Sequence, residues 1–162
     1  MTTALILIDL MPRIVAMPLA PHTGPEVEER CRRLGEAFRA KGLPVAVVRV
    51  ERPNVEEQPP GSGLVEGLRQ PGDIEIVKRT VGAFHGTGLD ERLRERGVDT
   101  VVVAGLVTTM GVESTARAAS DHGYDVEFVE DAMSGFEADE HAFAVDRVFP
   151  RFGVVRTTAD YV

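Results

Sequence analysis

Apolar runs of strand length alternate along the chain with stretches whose apolar residues recur every three or four positions. Ala4–Asp9, Pro44–Val50, Ile74–Lys78, Thr100–Leu106, Val126–Val129 and Val154–Thr157 read as strands. Thr100–Leu106 is the most hydrophobic and reads as central, because a strand buried on both faces loses the polar alternation of an exposed sheet. Glu26–Ala40 places Val27, Cys31, Leu34 and Phe38 on one helical face, and Gly42 supplies the stop. Leu89–Arg96 reads as a short charged helix closed by Gly97, and Ala138–Phe149 as the last long helix. Thr109–His122 has an inner face of Val112, Thr115, Ala116 and Ala119, small enough to lie close on a sheet. This alternation predicts an α/β fold with a doubly wound, Rossmann-like, six-stranded, mostly parallel sheet and helices on both faces. Right-handed crossovers favour the order 3-2-1-4-5-6, which opens a crevice beyond the carboxyl ends of strands 1 and 4.

The length of 162 residues is expected to form a single domain over 1–162, with enough chain to bury a sizeable core. A formal charge of -8 argues against nucleic acid as the main partner, since phosphate neutralisation needs clustered Lys and Arg. The single cysteine, Cys31, excludes an intrachain disulfide and a cysteine-rich zinc site, and fits a reducing, cytoplasmic setting. The apolar N-terminus is broken by Asp9, Pro12 and Arg13 and lacks a basic lead, so it reads as neither signal peptide nor membrane span. Glu56–Gly63, EEQPPGSG, reads as a surface loop.

Three residues carry candidate chemistry. Asp9 ends the first strand at the crevice, where drying would raise its pKa and a nearby cation would lower it. The plain alternative is a structural carboxylate that caps the next segment. Lys78 ends the third strand, where an ammonium could hold Asp9 or orient a substrate oxygen; the alternative is a solvated strand-end lysine. Gly111 falls in the first turn of a helix, where free backbone N–H groups can hold developing negative charge and the absent side chain leaves space. The stretch Gly105–Gly111 is not a phosphate loop, because its glycines are one residue too far apart and no Lys-Ser/Thr follows. His22, His85, His122 and His141 have no ligand spacing, so no metal and no cofactor are expected. Cys31 reads as core.

The stretches ALILIDLM, IVKRTVGAFHGTGLDERLRERGVDTVVVAGLVTTMGVESTARAA, GYDVEFVEDAMSG and RFGVVRTTAD together resemble the isochorismatase-like hydrolases of the cysteine-hydrolase superfamily. The resemblance covers nearly the whole chain, and Lys78–Ala119, with K-x5-F, T-x-L and G-x2-T-x3-V-x2-T-A, is its most specific part. It implies an Asp–Lys–Cys triad in which Asp9 and Lys78 match and the Cys position falls on Gly111. Without a nucleophile, acyl-enzyme amide hydrolysis is expected to be absent or very slow. The nicotinamidase branch also carries an Asp/His metal cluster after strand 2, where this chain has VERPNVEEQ with no histidine.

The isochorismatase branch itself has glycine at the Cys position. The resemblance there implies a strand-1 carboxyl group that protonates an enol-pyruvyl ether, with water completing cleavage to pyruvate and an alcohol. In this chain Asp9 would be the general acid/base and Lys78 its partner. Arg13, Arg52 and Arg79 are candidates for binding substrate carboxylates. Phe84, which closes K-x5-F, and Val107 and Thr108 in the turn after strand 4 are the further candidates for substrate contact. That turn lacks the Tyr and His of the isochorismatases, which keeps open an inactive family member acting as a small-molecule binding or assembly protein. The resemblance also implies a small-molecule partner, a homodimer or higher homo-oligomer, and a cis peptide at Leu106–Val107.

Overall fold

The computed structural model describes residues 1–162. Its strands are β1 (Thr2–Ile8), β2 (Val45–Val50), β3 (Ile74–Lys78), β4 (Val98–Leu106), β5 (Asp125–Ser134) and β6 (Gly153–Arg156). They form one six-stranded sheet in the order β3-β2-β1-β4-β5-β6, as expected. Every neighbouring pair is parallel. The helices are α1 (Pro12–Val15), α2 (Gly24–Ala40), α3 (Leu89–Arg94), α4 (Glu113–Asp121) and α5 (Ala138–Phe143). No helix is long and apolar enough to cross a membrane.

Period-two alternation divides β1 between two cores. Ala4, Ile6 and Ile8 join the core beneath α3 and α4, while Leu5 and Leu7 join the one beneath α2. In α2, Val27, Cys31, Leu34 and Phe38 are all buried, each contributing on the order of 1.5–3 kcal/mol through apolar area removed from water. This helix starts at Gly24, two residues before the expected Glu26, because Thr23 and Glu26 form a reciprocal capping box. Its far end is tied to the approach to β3 by a two-pronged Arg39–Asp73 ion pair with contacts of 3.0 and 2.6 Å.

Three further departures from the sequence pattern stand out. β5 runs to Ser134 instead of stopping at Val129. Its pairing with β4 slips between Val103↔Phe128 and Gly105↔Met133, so Val129–Ala132 bulge out before the ladder resumes. The charged pair Glu130–Asp131 hides this extension from a hydrophobicity reading, and in the fold Asp131 Oδ1 accepts from the Thr158 N–H and hydroxyl. The helix expected from Thr109 instead opens with a wide turn, Thr108–Val112, in which the Val112 N–H donates to the Val107 carbonyl, an i→i+5 bond. The long C-terminal helix is likewise split after Phe143 into a wide turn, Ala144–Val148, and a tight one, Phe149–Arg151. The expected cis peptide at Leu106–Val107 is present, with a second at Ala20–Pro21.

Candidate active site

β1 ends at Ile8, and Asp9 turns out of the sheet with φ of 51°, a left-handed conformation that Asp tolerates better than most residues. Its N–H donates to the Val48 carbonyl, which holds the turn against β2. β4 can lie beside it because Gly105 has no side chain: a Cβ there would stand 2.3 Å from the Ile8 carbonyl oxygen.

Lys78 comes from the edge strand β3, two strands away. Ile74, Ile76 and Lys78 share one face, so the alternation that buries the isoleucines also sends the lysine inward over the end of β2. Lys78 is only 2% exposed and Asp9 6%. The Lys78 Nζ lies 3.0 Å from Asp9 Oδ2 and also donates to the Val81 carbonyl. Asp9 Oδ1 is buried without a hydrogen-bond partner. Burial pushes the Asp9 carboxyl above its ordinary pKa, against the opposing pull of Lys78 and, more weakly, of Arg13.

The wide turn sets Gly111 directly over this pair. A Cβ on Gly111 would stand 3.3 Å from Lys78 Nζ, 3.4 Å from Asp9 Oδ2 and 2.9 Å from Ile8 Cγ2. An acid, a cation and a position without a side chain therefore converge on one point. That point opens into a cavity of about 430 Å³.

Of the residues expected at the site, Asp9, Lys78, Gly111, Arg13, Arg52 and Val107 line this cavity, and Arg79 joins them. Arg13 sits on α1 with its Nε buried and unpartnered. Arg79 is held by Glu51 at 3.2 Å, and Glu51 is also paired with Arg49 at 3.0 Å. Two expectations need correction. Phe84 is not at the cavity. The Ala83 N–H donates to Thr115 Oγ1, which draws the loop onto α4, and the Phe84 ring packs in the core 5.1 Å from His122 and 5.9 Å from Tyr124. Thr108 is fully buried and turned away from the cavity, with its hydroxyl 2.7 Å from His141 Nδ1.

Sequence reasoning missed the apolar rim. Met17, Val81, Met110 and Phe136 line the cavity while remaining partly exposed. Met110 adjoins Gly111, which was a signal in hand; Phe136 arrives only because β5 extends past its bulge. Cys31 is buried far along α2 and its thiol is pushed up by burial, so it is no nucleophile.

This convergence has a direct chemical test. Gly111→Cys would put a thiol beside the Lys78 ammonium, and the new thiol is expected to alkylate with iodoacetamide with a pKa below that of free cysteine. Ile8 Cγ2 must give by a few tenths of an ångström to admit it. Cys31 stays silent in the same assay. An alkylation rate that follows the titration of an ordinary thiol would mean that the ammonium is not there.

A model of the isochorismatase domain matches residues 3–160. The chain is similar to the isochorismatase family protein YecD of Escherichia coli O157:H7, with 39% identity over 176 residues that cover 98% of this chain and 94% of that one. It is also similar to the solved structure of an isochorismatase family protein from Burkholderia thailandensis, with 38% identity, a TM-score of 0.87, and 98% and 93% of the two chains covered. N-carbamoylsarcosine amidase from Thermoplasma acidophilum shares 29% identity at a TM-score of 0.81, over 98% of this chain and 97% of that one.

Proposed function

The chain belongs to the isochorismatase family of hydrolases, and from that premise we propose that it cleaves a small organic acid of the enol-ether type without a covalent intermediate. Asp9 is the general acid and Lys78 its partner, within one domain spanning 1–162. The observation that carries this reading is the buried Asp9–Lys78 pair, 3.0 Å apart in the cavity lining, with no side chain on Gly111 above it. No thiol nucleophile stands there, and the pair is reached from the cavity.

The proton inventory follows from the contacts. Asp9 Oδ2 accepts from Lys78, so the proton of the neutral acid resides on Oδ1, the oxygen without a protein partner. From Oδ1 it passes to the methylene carbon of the substrate's enol ether. Water adds to the resulting oxocarbenium carbon and returns a proton to Asp9. The hemiketal then collapses: its C–O bond to the departing oxygen breaks, its hydroxyl proton passes to that oxygen, and pyruvate and the alcohol are left. Arg13 and Arg52, which line the cavity, bind the substrate's carboxylates.

The test is pyruvate release from isochorismate and simpler enol-pyruvyl ethers. A raised pKa keeps the acid protonated to higher pH, so kcat/KM is expected to be full below that pKa and to fall as pH rises through it. No pyruvate from any of these ethers at saturating concentration would overturn the reading. One observation favours the second reading, an inactive small-molecule binder: the turn after β4 offers the cavity Val107 and Met110 but hides the Thr108 hydroxyl. Thermal stabilisation by the same acids without turnover would decide for it.

A further inference from the structure

Outside the cavity, one buried polar cluster is unused by the chemistry above. It lies behind the turn that carries Gly111. His141, on α5, is 6% exposed, and its Nδ1 shares a hydrogen bond of 2.7 Å with the Thr108 hydroxyl. Thr108 opens the wide turn, three residues before Gly111. His141 also lies close against Gly135, where a Cβ would stand 3.3 Å from His141 Cβ. Gly135 precedes Phe136 of the cavity rim and exchanges two backbone hydrogen bonds with Ala20, of 2.9 and 2.8 Å. On the far side, the His22 ring meets His141 edge-on at 6.1 Å, and the His22 backbone is fastened to the Ser134 hydroxyl by bonds of 3.0 and 2.6 Å.

His141 therefore adjoins the three segments that meet behind the site: its ring meets the turn after β4 and the loop before α2, and its Cβ lies beside the residue that follows β5. We infer that His141 is a positioning residue, which acts through the Thr108 hydroxyl to hold the Thr108–Val112 turn, and with it Gly111, over Asp9 and Lys78. It rests on the proposed reading of the cavity as a reaction site. The physical reason is geometric. An i→i+5 turn is wider than an α-helical one and has poorer packing across its axis, so a side-chain brace determines where its crest sits. Misplacing that crest by an ångström changes the room left for a substrate atom and costs rate, not binding alone. The imidazole is suited to this task because burial, helped by His22 beside it, lowers its pKa to about 4, so it stays neutral at physiological pH.

The experiment compares Thr108→Val, which keeps shape and removes the hydroxyl, with Thr108→Ser, which keeps the hydroxyl. His141→Leu removes the ring nitrogen, whereas His141→Asn leaves a polar atom near the Nδ1 position. The first readout is amide hydrogen exchange at Met110 and Val112, whose N–H groups both donate to the Val107 carbonyl. Thr108→Val and His141→Leu are expected to speed exchange there by roughly tenfold or more, with β2 amides unchanged, and Thr108→Ser and His141→Asn to restore protection. The second readout is turnover: kcat for pyruvate release falls roughly tenfold in Thr108→Val while KM moves little. Unchanged exchange at Met110 and Val112, or uniform acceleration across the sheet in both disrupting variants, overturns the inference, as does local loosening with kcat intact. Absence of turnover in the parent protein sinks the proposed reaction instead, and the exchange measurement still decides whether the brace exists.

Discussion

Replacing Asp9 with Asn is expected to lower kcat for pyruvate release by about 10³-fold, within the range attributable to a positioned general acid. Asn is nearly isosteric, and its amide oxygen can still accept from Lys78, which lies 3.0 Å from the native carboxyl. What disappears is the transferable proton on the unpartnered oxygen. KM is expected to stay within a few-fold of the parent, because Arg13 and Arg52, the proposed carboxylate-binding residues, are untouched. Steady-state assay of the folded variant across the pH range is the measurement. Activity within tenfold of the parent would remove Asp9 from the acid role, whatever the geometry around it.

Lys78→Met should have the second largest effect, and it acts on two levels. Methionine fills similar volume in the buried lane over β2 but provides neither the ammonium for Asp9 nor the donor for the Val81 carbonyl. Removing one member of a buried ion pair typically costs about 3–5 kcal/mol, because the other charge is left uncompensated. Asp9 can escape part of that cost by staying protonated. Its folded pKa, already raised by burial, then rises further once the opposing pull of Lys78 is gone. A carboxyl group whose folded pKa lies above its unfolded value loses stability as pH rises between the two. Urea unfolding should therefore find Lys78→Met closest to the parent in acid and progressively less stable towards neutral pH. Equal stability of the two proteins at neutral pH would mean that the pair is not coupled in solution. On the catalytic side we expect a loss of about 10²-fold or more, since Asp9 is no longer held in place by the contact that leaves Oδ1 as its proton-bearing oxygen.

The two substitutions also bear on each other. Because Asp9 and Lys78 touch, their effects on stability should not add, and the double variant is expected to be less damaged than the sum. Phe84 marks the contrast. It lies only six residues beyond Lys78, but its ring belongs to the core against His122 and Tyr124, so truncating it is a matter of packing and not of chemistry.

Element order and strand order were legible from the chain alone, because they follow from local periodicity and topology. Asp9, Lys78 and Gly111 stood out as candidates by their places at strand and helix ends, and the family resemblance joined them into one site. Apolar runs give buried strands, right-handed crossovers prune the strand orders, and a polar residue at a strand's carboxyl end must emerge at the crevice of a doubly wound sheet. Where Thr108, Phe84, Phe136 and His141 point depends on contacts made across the fold. Thr108 pairs with a residue 33 positions away, and nothing in the spacing of either announces the other. Phe136 reaches the cavity through a bulge in β5 whose charged residues look like a strand end until Thr158 is seen to satisfy one of them. The physical reason is the same in each case. Period and propensity are properties of neighbours along the chain, whereas the direction of a side chain at an element's end is set by whichever distant group satisfies its hydrogen bond or fills the space beside it.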